Sequence, residues 1–88
     1  MKTINIIIRP VDKKRHEFLA YLKSDFLGAT YSLFFKDNIF GSIALNNFSE
    51  MIKHQYRINR VEFDFSNNPV IFKNPAVLDV LKQKEGVA

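Results

Sequence analysis

The chain reads as one α+β domain over residues 1–88, with a ferredoxin-like split βαβ order. That order is β-α-β-β-α-β, an antiparallel four-stranded sheet with helices on one face, followed by a short fifth strand and a C-terminal helix. Three observations predict it. "TINIIIR" and "RVEFDFS" place apolar residues in steps of two, as strands half-buried in a sheet do. Apolar residues recur at helical spacing behind Asp12 and again behind Asn47. Between these helical stretches, the polar cluster "KDN" separates two apolar runs, as in a hairpin.

In the first strand (3–9), Ile4, Ile6 and Ile8 share one face, and Thr3, Asn5, Ile7 and Arg9 share the other. Pro10 ends the strand because proline has no N–H for a ladder. Asp12 reads as a helix cap, with Phe18, Leu19, Leu22 and Phe26 behind it and Gly28 as the stop. This helix carries Lys13, Lys14 and Arg15 in its first turn, where the peptide dipoles disfavour cations by a few tenths of a kcal/mol. Glu17, four residues after Lys13, offers a partial offset.

"TYSLFFK" (30–36) and "IFGSIAL" (39–45) then read as a hairpin. "NNFSEMIKHQY" (46–56) reads as the second helix, with Asn47 and Glu50 in a capping box and Phe48, Met51, Ile52 and Tyr56 on its apolar side. "RVEFDFS" sends Val61, Phe63 and Phe65 one way and Glu62 and Asp64 the other. "NNP" is a turn and "VIF" (70–72) a short strand. The last helix has Asn74 as cap, Pro75 at its first position, Lys82 and Lys84 in its last turn and Gly86 at its end.

Composition bounds the function. A chain of 88 residues buries about 60–65% of its unfolded surface, enough for one small core. Its 47% hydrophobic and 25% charged residues exclude a disordered tail. With no cysteine there is no disulfide, thiolate metal site or thiol catalysis, which fits a reducing compartment. The start "MKTINIIIRP" lacks the long apolar core and cleavage site of a signal peptide, and no apolar run nears the roughly 18 residues needed to span a bilayer. A cytoplasmic protein with no membrane partner is the expectation. Net charge +4 tilts the partner toward an acidic one.

The chemistry inventory is poor. His16 and His54 belong to different elements, and neither a triad, HExxH, a phosphate-cradling loop nor a dinucleotide fingerprint occurs. Glu50 and His54, one turn apart, read as an exposed helix pair rather than metal ligands. The expectation is a non-enzymatic protein with no cofactor and no metal.

Two binding readings follow. In the first, Phe34 and Phe40 flank the "KDN" turn on the uncovered sheet face with Ile7 on a neighbouring strand, an apolar patch for a protein partner. The chain would then be a homodimer, an adaptor or an inhibitor. Competing with this, the last helix, with Val77, Leu78, Val80 and Leu81, folds over that face, or the register slips by one residue and exchanges the faces. In the second reading the chain is a nucleic-acid-binding accessory protein. Arg9, Lys13, Lys14 and Arg15 around the first helix, and Arg57 and Arg60 beyond the second, would bind anions. Base stacking on the sheet is not expected. The first strand offers Asn5 and Ile7, "IFGSIAL" has a single ring, and Glu62 and Asp64 would repel phosphate.

Overall fold

A computed structural model describes residues 3–22, 31–64 and 72–84. The elements run β1 (Thr3–Asp12), β2 (Glu17–Leu22), β3 (Ser32–Lys36), α1 (Ile39–Gln55), β4 (Arg60–Asp64) and α2 (Pro75–Lys84). They form an α+β fold with a mixed four-stranded sheet in the order β3-β2-β1-β4. β1, β2 and β3 are an antiparallel meander, whereas β4 pairs with β1 in parallel. β3 therefore points the same way as β4 from the opposite edge, and α1 carries the chain between the two edges.

This order, β-β-β-α-β-α, is not the ferredoxin-like one, and its sheet is not wholly antiparallel. The first difference lies at 12–22, where a turn and a strand replace the expected first helix. "EFLAYL" satisfies both periods, since Phe18, Leu19 and Leu22 suit a helix and Phe18, Ala20 and Leu22 suit a strand. The strand prevails because its neighbour is already in place. Pairing Ile8 with Ala20 and Ile6 with Leu22 stacks both alternations on one face, and all four residues are buried. Asp12 does cap, but it caps a turn. Its Oδ1 accepts the backbone N–H groups of Lys14 at 3.0 Å and Arg15 at 3.1 Å. His16, at φ 53°, then reverses the chain.

The second difference lies at 37–45. "IFGSIAL" is the first half of α1 and not a strand, so the expected hairpin is absent and the helix read at 46–56 is α1's second half. The start signal is Asn38, in extended conformation at φ −152°, whose side chain accepts Gly41 N–H at 2.7 Å. Asn47 consequently lies in mid-helix, exposed, and caps nothing. β4 and α2 form where the sequence places them. Val61 and Phe63 are buried, and the Asn74 side chain accepts Ala76 N–H at 2.9 Å, with Pro75 as the first helical residue. Phe26, Gly28, Thr30, Phe65, the "NNP" turn, Val70, Ile71 and Gly86 lie outside the described residues. Phe72 is buried but belongs to no strand.

One core results. Ile4, Ile6, Ile8, Phe18, Ala20, Leu22, Phe35, Val61 and Phe63 from one sheet face meet Leu45, Phe48 and Ile52 of α1 and Val77 and Leu81 of α2. Phe72 fills the gap beside β2, its ring 4.6 Å from Phe18. α2 packs on α1 and β4, on the same side of the sheet as α1. It leaves the opposite face uncovered among the described residues, so it does not fold over that face.

The Asp37 carboxylate fastens this layer. It accepts Lys73 N–H at 2.7 Å and Asn74 N–H at 3.2 Å, tying the entry of α2 to the turn between β3 and α1. Bonds from backbone donors to a carboxylate are about twice as strong as neutral ones. Asp37→Ala should lower the unfolding free energy by about 1–3 kcal/mol, read as a shifted urea midpoint with unchanged slope.

At the far end of α1, Tyr56 meets Tyr31 edge-on at 6.1 Å. Burial, reinforced by Tyr31, holds the Tyr56 phenol above its ordinary value. The neutral form is thus favoured by folding, so this contribution is whole below the unfolded pKa of roughly 10 and is lost as pH rises past it. Melting temperatures should fall from about pH 10 upward, and Tyr56→Phe should flatten that decline.

Candidate protein-binding surface

The uncovered sheet face follows directly from the register. Across the strands, Phe34 stands beside Leu19 and Arg9, and Ser32 beside Tyr21, Ile7 and Asp64. Lys36 stands beside Glu17, Asn5 beside Glu62, and Thr3 beside Arg60. Of the residues read onto this face, Asn5, Ile7, Arg9, Phe34, Glu62 and Asp64 are there, but Phe40 is not, because it belongs to α1. Leu19 and Tyr21 stand there as well, in a segment whose helical spacing masks the alternation within "EFLAYL".

Phe34 and Phe40 nevertheless come together. Phe34 projects from the open face of β3, the edge strand, and is 51% exposed. Phe40 sits in the first turn of α1, in the other layer, and is 77% exposed. The two rings line one open concavity of about 280 Å³ with Lys36, Asn38, Gly41 and Ala44. Exposed Ile39 and Ile43 extend the apolar ground over the first turns of α1. Ile7 is half-buried two strands in from β3, roughly 10 Å away by strand spacing, with Tyr21 between it and Ser32. It is not part of the concavity.

The close approach of α1 to β3 comes from Gly41. A methyl group there would lie 2.8 Å from the Lys36 carbonyl carbon and 3.2 Å from its nitrogen, and closer still to the carbonyl oxygen. The helix can therefore begin directly against the edge strand, which brings Phe40 beside Phe34.

The basic residues are placed differently. Lys13, Lys14 and Arg15 are exposed in the β1–β2 turn rather than at a helix start, so the unfavourable dipole does not arise. Glu17 pairs with Lys36 at 3.8 Å, and Arg15 lies 4.0 Å from Asp12. Arg9 lies over the Tyr21 ring at 5.7 Å. Arg57, at φ 53°, follows α1, and Arg60 pairs with Glu62 at 2.9 Å. Since Thr3 pairs with Arg60 and the turn follows Asp12, the two clusters lie at opposite ends of β1, about 30 Å apart at 3.3 Å per residue. They do not merge into one rim. Glu50 pairs with Lys53 at 3.7 Å. Among the described residues, no three His, Asp or Glu side chains are grouped to hold a metal ion, and no helix is long and apolar enough to cross a membrane.

Compared with protein families, with curated proteins and with solved structures, the chain matches none. The surface must therefore be read on its own chemistry.

Helix propensity and packing make opposite forecasts at Gly41. On propensity alone, Gly41→Ala would stabilise α1 by about 1 kcal/mol. The Lys36 backbone cannot rotate away as a side chain would, so the substitution should instead cost roughly 2 kcal/mol or more. Chemical denaturation of the two proteins gives the sign.

Proposed function

We propose that the chain is a small non-enzymatic protein-binding module whose contact is the apolar ground around Phe34 and Phe40. The observation that carries this reading is the shared concavity. Two large rings from different layers, 51% and 77% exposed, line it together at a sheet edge. Single exposed apolar residues are ordinary, but a contiguous group of rings costs solubility and is typical of contact surfaces. Covering each ring would contribute about 1.5–3 kcal/mol at most, less for the part already buried.

The nucleic-acid reading has weaker support. The candidate cations are divided between two distant ends, and Arg9, Arg15 and Arg60 each have a partner within the chain. Such a reading needs binding to random duplex that weakens steeply with salt.

The test compares the wild type with Phe40→Asp and Phe34→Asp. Both rings are largely exposed, so each variant should melt close to the wild type, within about 0.5 kcal/mol. Each should abolish association, read as self-association by sedimentation and as capture of a protein from a cell extract. If both variants associate as the wild type does, or if the wild type associates with nothing, the reading fails.

A further inference from the structure

We infer that the occupant of this concavity is a second copy of the chain, paired antiparallel through β3 about a twofold axis at Phe34. The inference rests on the protein-binding reading above and specifies its partner.

The argument starts from which backbone groups face outward. Leu22 N–H donates to Tyr31 O at 3.1 Å, and Asp37 N–H donates to His16 O at 3.0 Å, so these bonded pairs bracket β3 at both ends. Bonded and non-bonded positions alternate along an antiparallel ladder. Residues 31, 33, 35 and 37 thus turn their backbones toward β2, while Ser32, Phe34 and Lys36 turn theirs toward the outer edge. Among the described residues no strand pairs with that edge.

A symmetric interface must be self-complementary, and this edge is. With the axis at Phe34, the two Phe34 residues exchange both N–H···O=C bonds. Each Lys36 N–H meets the other copy's Ser32 carbonyl. Four backbone bonds form in all. The Lys36 carbonyl, which already accepts Asn38 N–H at 2.9 Å, is not called on. No like charges are opposed, because each Lys36 faces a serine. The two Phe34 rings meet across the axis, and Phe40 and Ala44 border the other side of the added strand.

The two edges of the sheet differ in this respect. On the exposed face β4 carries Arg60, Glu62 and Asp64, the kind of charged pattern that discourages pairing, whereas β3 carries Ser32, Phe34 and Lys36. The area is also adequate. The exposed parts of the two rings amount to about 200–300 Å² per copy. With the strand backbones and Ala44, two copies cover roughly 1,000 Å², the lower end for a specific, reversible dimer.

The test uses the full chain, which has no cysteine, so one introduced thiol reports one position. Bonded antiparallel partners have Cα atoms about 5.5 Å apart, within disulfide reach. Phe34→Cys should oxidise to a disulfide-linked dimer at least tenfold faster than Thr3→Cys, which lies across the sheet. Sedimentation of the wild type should show a reversible dimer that grows from about 10 to 500 µM. Phe34→Pro removes the edge N–H exchanged across the axis without touching the ladder to β2, and should weaken the dimer at least tenfold with the melting temperature retained. Phe34→Cys keeps the test decisive should Phe34→Pro fail to fold. A wild type that stays monomeric while Phe34→Cys links no faster than Thr3→Cys overturns the inference. So does a dimer that neither links at Phe34→Cys nor weakens in a folded Phe34→Pro. Loss of extract capture by Phe40→Asp alongside a monomeric wild type would sink self-pairing and leave the protein-binding reading standing.

Discussion

The approach of Gly41 to the Lys36 carbonyl is the constraint on which the molecule's distinctive features depend. It lets a 17-residue helix begin within a few residues of the edge strand, after only Asp37 and Asn38. Those two residues are fully committed. Asn38 caps α1, and Asp37 holds the entry of α2. A wider connection would let α1 start farther from the edge, and Phe40 would then stand over open solvent instead of beside Phe34. The same short turn thus sets the helix layer against the sheet and shapes the concavity at its margin.

The opposite side of the molecule is organised by β1. Ile4, Ile6 and Ile8 are nearly inaccessible, and both neighbouring strands take their register from β1. On the open face the side chains pair off locally, with Arg9 on Tyr21, Arg60 on Glu62 and Lys36 on Glu17. Pairs this exposed contribute little to stability, about 0–1 kcal/mol each. They do moderate the excess of positive charge where it would otherwise concentrate, and among the described residues Lys36 is the charged side chain that lines the concavity at the β3 margin.

Much of this arrangement is legible in the sequence where one period dominates. β1, β4 and α2 are such segments: "TINIIIR" and "RVEFDFS" carry the strand period and Asn74-Pro75 is an unambiguous helix start, although β1 does not end at Pro10 but runs on through it to Asp12, Pro10 still pairing with Phe18. The failures fall on segments that carry two periods at once. "EFLAYL" has apolar residues at both helical and strand spacing, and only the presence of β1 alongside decides it. "IFGSIAL" is rich in β-formers, yet Asn38 caps it and continuity with "NNFSEMIKHQ" makes one long helix; local propensity gives way to tertiary context. Phe34 and Phe40 read as neighbours across a hairpin; both do line one concavity, but across a strand-to-helix turn with five residues between them. Ile7 reads onto the same patch through a strand adjacency that β2 interrupts.

The parallel pairing of β1 with β4 has a consequence for how the chain assembles. β1, β2 and β3 can zip together through successive local reversals, whereas β4 meets β1 only after α1 has been laid across the sheet, closing a loop from Thr3 to Arg60. Closure over such a span is entropically slow, and sheets with such long-range partners form later than hairpins. During that interval the meander exists with one flank of β1 still bare, so a nascent chain is most exposed to wrong strand partners before its last third has been synthesised. The charges on β4 then blunt the flank that it has just closed.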